Sequence, residues 1–149
     1  MSLRNILTDL LMRTMNRTHR GLLWLSGGRI GWQLRSLPAV ELHTVGRSSG
    51  KRRSTMLTAP IHDAGRYVLV ASKGGDDGNP QWYLNLVAHP EVELTVRGRT
   101  LPMSARTATG EEKARLWPEI IRANPGYAGY QRKTDRDIPV VICEPRPTD

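Results

Sequence analysis

Residues 39–58 read AVELHTVGRSSGKRRSTMLT, two alternating runs on either side of a turn. Val40, Leu42 and Thr44 alternate with Glu41, His43 and Val45, the period of two that a half-buried strand requires. The turn GRSSG (46–50) follows, and residues 52–61 are expected to return as a second strand. The same hairpin logic recurs downstream. DAG (63–65) is a short turn signal before RYVLVASK, and a Gly98-centred turn joins EVELTVRG to RTLPMSART. DIPVVICEP (137–145) supplies a last strand. About six strands, mostly linked as hairpins, predict a mainly β (α+β) domain with an antiparallel barrel or sandwich. The strand–helix–strand alternation of a parallel sheet is lacking.

Two helices interrupt the strands. PQWYLNLVAH (80–89) places Pro80 where a first helical residue would stand. TGEEKARLWPEIIRAN (109–124) opens with Thr109 three residues before Glu112, a capping-box pair, and Pro118 is expected to kink or restart it. Upstream, residues 3–18 space Leu3, Ile6, Leu7, Leu10, Leu11 and Met15 along one face with arginines opposite, the pattern of an amphipathic helix. Glycine pairs and Pro38 then break regularity. Residues 1–37 are therefore read as a basic N-terminal appendage and 38–149 as the main domain.

Composition narrows the class. The 149-residue chain suits one domain, and with no Phe its core must come from aliphatic residues, Met and four Trp. One cysteine, Cys143, rules out an internal disulfide framework and a multi-thiolate metal site. No apolar run has the length of a membrane span or the form of a secretory leader, so a cytoplasmic protein is expected. The net charge of +8 is unevenly placed: residues 1–53 hold ten Lys/Arg and two Asp/Glu, and the rest holds twelve of each. A concentrated excess of this kind suits an anionic partner.

Three stretches carry candidate chemistry. GRSSGKRR (46–53) lacks Walker A spacing and precedes a strand, so it is either a turn whose amides, hydroxyls and cations hold a phosphate, or a solvated basic turn. ASKGGDDGNPQW (71–82) brings Ser72 and Lys73 to a strand end, then glycines that allow close backbone approach, then a helix start. Trp82 taken singly reads as core. Tyr127 and Tyr130 share one side of a helical turn and either line a pocket or pack at the domain edge. The histidines show no metal-ligand spacing, and Cys143 reads as an inert core thiol.

Taken together, G-R-x-S-G-x-x-R (46–53), A-S-K-G-G (71–75), N-P-x-W-Y-x-N-L (79–86) and D-R-x-I-P-V-V (135–141) resemble the deazaflavin (coenzyme F420)-dependent nitroreductase family. The match runs from about residue 40 to 145, in order and with similar spacing. The resemblance implies a split β-barrel related to FMN-binding barrels. It implies that Arg47, Ser48, Ser49, Gly50 and Arg53 hold the cofactor's phosphate and lead its acidic tail across the basic surface. Met56 and Leu57 would belong to the same cradle. Ala71, Ser72, Lys73 and Gly74 would lie along the deazaflavin, with Trp82 and Asn85 walling or hydrogen-bonding it. Asn124 stands where some members carry an additional aromatic, and STML (54–57) lacks a Pro found in many relatives.

The activity so implied is hydride transfer from reduced coenzyme F420 to a small electrophile: a lipophilic quinone, an activated alkene or a nitro compound. Ser72 would hydrogen-bond the substrate oxygen, and Tyr127 or Tyr130 would close the pocket or assist proton delivery. Alternatives are an FMN-dependent oxidoreductase of the same fold and a non-catalytic carrier of F420 or a lipophilic ligand. A nucleic-acid binder is disfavoured, because few exposed-looking aromatics interleave with the cations. Residues 1–25 suit either peripheral contact with the inner face of the cell membrane or packing on the barrel or a second subunit of a homo-oligomer.

Overall fold

The computed structural model describes residues 38–147; the basic N-terminal segment and its amphipathic pattern lie outside the described residues. The opening hairpin forms as its alternation predicts. Strands β1 (Ala39–Val45) and β2 (Arg52–Thr58) pair antiparallel, with Leu42 opposite Thr55 and Thr44 opposite Arg53. Val40, Leu42 and Thr44 are buried, while Glu41, His43 and Val45 are not.

The second strand is shorter than its expected span of 52–61. β2 stops at Thr58, and β3 (Ile61–Asp63) starts after a gap of two residues. Pro60 has no N–H to give a ladder, so the chain bends there. Among the described residues there are seven strands in place of the expected six or so. β3 turns into β4 (Arg66–Val70) through Ala64 and Gly65, and β5 (Glu91–Val96) turns into β6 (Arg99–Thr107) through Arg97 and Gly98. All four turn residues have positive φ, between 48° and 79°. Two-residue hairpins of that hand match the strand twist. The last strand, β7 (Val140–Pro145), begins three residues after the expected Asp137, once Pro139 has passed. The strands form one curled antiparallel sheet in the order β2-β1-β5-β6-β7-β4-β3.

Three short helices complete the described fold: α1 (Gln81–Ala88), α2 (Gly110–Ala123) and α3 (Gly126–Arg132). Pro80 is not the first helical residue of α1, as expected, but its extended cap, with ψ 152°. The capping box of α2 is complete: Thr109 accepts from the Glu112 amide at 3.2 Å, and Glu112 accepts from the Thr109 amide at 2.9 Å. Nor does Pro118 restart α2, which runs unbroken over 14 residues. Ala114 and Pro118 are both exposed, so the carbonyl that loses its helical donor faces water.

At β4 and β7 the sheet is buried on both faces, which is why YVLV and VVIC read as continuous apolar runs. On one face Val40, Leu42, Leu69, Leu94, Met103 and Val141 pack with Trp82 and Leu86 of α1. On the other, Ile61, Val68, Val70 and Val140 pack with Ile120 of α2 and Tyr127 of α3. Lys113 of α2 ties these helices to the approach to β7, donating to Gln131, Asp137 and the Ile138 carbonyl, with its ammonium 4.7 Å from the Trp117 ring centre.

Candidate active site

The basic turn between β1 and β2 is closed by its own backbone. Gly46 N–H donates to the Lys51 carbonyl and Gly50 N–H to the Gly46 carbonyl, both at 2.8 Å. Ser49 Oγ accepts from the Lys51 amide at 3.2 Å. Ser48, Lys51 and Arg53 remain exposed. Arg47 is held instead. Its amide (3.1 Å) and Nη1 (2.9 Å) both donate to Asn85 Oδ1, and Nη2 donates to Gln81 Oε1 at 2.8 Å. The turn is thereby fastened to the first two turns of α1.

Asn85 is 5% exposed, and with its carbonyl engaged by Arg47, its Nδ2 has no partner among the described residues. The Thr44 hydroxyl, 3% exposed and opposite Arg53, also lacks one among them. Buried polar groups are normally satisfied, and these two lie beside a cationic turn without a partner among the described residues. Strand alternation sorts the remaining candidates. Arg53 shares the face of Thr44, while Arg52 turns away to Glu93 at 2.9 Å. Leu57 packs against the face covered by α1, and Met56, its neighbour, joins Ala39 and Val96 instead.

The second candidate stretch leaves β4 at Val70 and enters α1 at Gln81. Lys73, Gly74 and Gly75 take φ values of 46°, 64° and 85°, three left-handed residues in succession. Only glycine adopts that region freely, so Lys73 is strained. A Cβ at Gly75 would lie 2.8 Å from the Tyr130 carbonyl oxygen and 3.0 Å from Lys133 Cβ, which fixes the loop against α3. The Ser72 hydroxyl, nearly buried, has no partner among the described residues.

Arg136, of the D-R-x-I-P motif, lies in the segment between α3 and β7. It donates to the carbonyls of Ala71, Ser72 and Asp76 and to Asn79 Oδ1, at 2.8–3.2 Å. Burial pushes its guanidinium pKa down, and the nearby Asp76 and Asp77 act against that shift. The only sequence signal for this grip is the place of Arg136 in D-R-x-I-P.

The aromatic candidates separate. Trp82 is 7% exposed and belongs to the core under α1, with Tyr83 edge-on to it at 6.4 Å. Tyr127 is buried against α2 and shares a 3.2 Å hydrogen bond with Thr58, and burial pushes its phenol pKa up. Tyr130 meets the Tyr127 ring edge-on at 6.1 Å and is half-buried, its hydroxyl without a partner among the described residues. The structure thus joins Arg47, Gln81 and Asn85 directly, and the 72–75 loop with Tyr130; it sets Tyr127 in the core.

Cys143 is buried in β7, and desolvation pushes its thiol up to about 12. Native protein at pH 8 is expected to leave an aromatic disulfide reagent unreacted, with one thiol titrating only after urea unfolding. Prompt native reaction would mean that the strand opens readily.

Residues 12–145 match a family described as F420H(2)-dependent quinone reductase. The chain is 37% identical over 140 residues to an F420H(2)-dependent quinone reductase of Mycobacterium tuberculosis, covering 91% of each chain. It is similar to the solved structure of an F420-H2 dependent reductase (FDR-A), at 44% identity and TM-score 0.65 over 72% of this chain and 94% of that one. A second solved relative, a domain-swapped dimer, is 35% identical with TM-score 0.68 over 96% of this chain and 100% of that one.

Proposed function

The chain belongs to the F420H(2)-dependent quinone reductase family, and from that premise we propose that it reduces a quinone with reduced coenzyme F420. One observation carries the reading at this chain's own residues. Arg47 is already locked to α1 by the side-chain carbonyl of Asn85, and the buried amide nitrogen of the same side chain has no partner among the described residues. A preset cation beside an unsatisfied buried donor suits a polyanion that also carries ring carbonyls.

The remaining residues fit the group. Arg47, Ser48, Ser49, Gly50 and Arg53 would hold the phosphate and acidic tail by charge and by amides of the turn. Ala71, Ser72, Lys73 and Gly74 would lie along the ring system, with Asn85 donating to it. Leu57 and Trp82 would back it from the core face. Met56 points to the other side of the sheet and supports the cradle at most through its strand. When bound, the reduced deazaflavin supplies a hydride, and a quinone that takes up the hydride and one proton becomes a hydroquinone. The Ser72 hydroxyl would hydrogen-bond a substrate oxygen. Tyr130, whose phenol has no partner among the described residues, would meet the substrate rather than the buried Tyr127.

The test is a fluorescence titration with oxidised coenzyme F420 and, in parallel, FMN, followed by oxidation of the reduced coenzyme with menaquinone, a nitroaromatic and an activated alkene. Saturable F420 binding with menaquinone as the best acceptor is expected; tighter FMN binding would overturn the cofactor, and F420 binding without turnover would favour the carrier. Tyr130→Phe is expected to lower kcat with menaquinone about a hundredfold, the lower end for a positioned acid–base group, with coenzyme affinity unchanged. The reverse pattern would move Tyr130 to the coenzyme side.

A further inference from the structure

The run Lys73–Gly75 is a backbone conformation that does not hold itself. Two internal hydrogen bonds close it, Gly75 N–H to the Ser72 carbonyl and Asp76 N–H to the Lys73 carbonyl. Against them stand three positive φ values, one of them on a nearly buried lysine. Backbone in such a region persists only where its surroundings over-determine it. Arg136 is a tether of the right shape. Its Nη2 donates to the carbonyls of Ala71 (3.2 Å) and Ser72 (3.0 Å) just before the left-handed run. Its Nε donates to the Asp76 carbonyl (2.8 Å) just after the run, and Nη1 reaches Asn79 (2.8 Å) at the approach to α1. One planar group therefore clasps both ends of the loop. An ammonium, a point charge without the fixed fork, cannot satisfy acceptors so spread.

We propose that Arg136 is the positioning residue of this site: it sets the 71–79 loop in its coenzyme-binding form without touching coenzyme or substrate. The proposal rests on the functional reading above, which gives that loop to the coenzyme. It predicts that the fork matters, and that charge alone does not replace it.

The experiment compares full-length wild type with Arg136→Lys. Amide hydrogen exchange of the free proteins is expected to be at least about tenfold faster across residues 72–78 of the variant, with β1, β5 and β6 unchanged. The dissociation constant for oxidised F420 is expected to rise about tenfold, with kcat at saturating coenzyme retained. Should Arg136→Lys not fold, Asn79→Ala removes one of the four acceptors and is expected to show the same local pattern, smaller. Unchanged exchange in 72–78, or acceleration spread evenly over the sheet, overturns the proposal. Wild type separates the two readings. If it fails to bind F420, the functional reading falls, while a local exchange difference still upholds the hold of Arg136 on the loop. If it binds and Arg136→Lys binds equally well, the proposal alone falls.

Discussion

Gly75→Val is expected to destabilise the protein by about 3 kcal/mol or more and to abolish measurable coenzyme binding. Two costs combine. With φ at +85°, any side chain is strained, and a β-branched one most of all. The new Cβ would also stand 2.8 Å from the Tyr130 carbonyl oxygen, a backbone atom of α3 that cannot rotate away as a side-chain tip could. Either the loop or the helix must shift, and both contribute to the candidate site. Gly98→Val isolates the first cost: φ there is +78°, but nothing lies within 4 Å of the added atom. Urea denaturation of the two variants measures the difference. Equal losses would mean that the packing of the loop on α3 contributes nothing.

Asn85→Leu is expected to weaken coenzyme binding by about 2–4 kcal/mol, roughly 30- to 1,000-fold, with a far smaller change in stability. Leucine keeps the buried volume of α1 but frees the Arg47 amide and guanidinium from the acceptor that places them. It also removes the Nδ2 donor, which has no partner among the described residues. Asn85→Asp divides the two roles: the carboxylate still accepts from Arg47, yet offers no donor and repels an anion. Loss of binding in both variants is the expected result of a fluorescence titration. Full binding by Asn85→Asp would assign the whole effect to Arg47, and full binding by Asn85→Leu would remove Asn85 from the site.

Much of the fold is legible along the chain because the deciding forces are local. Alternation in AVELHTV puts Val40, Leu42 and Thr44 on one face wherever the strand packs, and a two-residue turn with glycine imposes its own hand at 64–65 and 97–98. The capping box of Thr109 and Glu112 closes within four residues. The structure departs from the sequence pattern where a local rule meets a longer-range choice. Pro60 divides one predicted strand into two, and Pro118 passes through α2 because its orphaned carbonyl reaches water.

The candidate site was legible as a list of motifs, and the list carried no geometry. That GRSSGKRR is a basic turn, that glycines follow Ser72 and Lys73, and that the chain resembles F420-dependent enzymes all follow from residue order. Which side chains act follows from pairing across tens of residues. Arg47 meets Asn85 38 positions away, and Arg136 meets Ala71 across 65. Met56 and Leu57 are adjacent in sequence but on opposite faces, and Tyr127 and Tyr130 differ by a single hydrogen bond to Thr58 and a shell of apolar neighbours. The sequence by itself determined the strands, the turns and the chemistry on offer. The tertiary structure alone decided which donors are spent within the protein and which are left for a ligand, because burial and hydrogen-bond satisfaction depend on neighbours that only folding brings together.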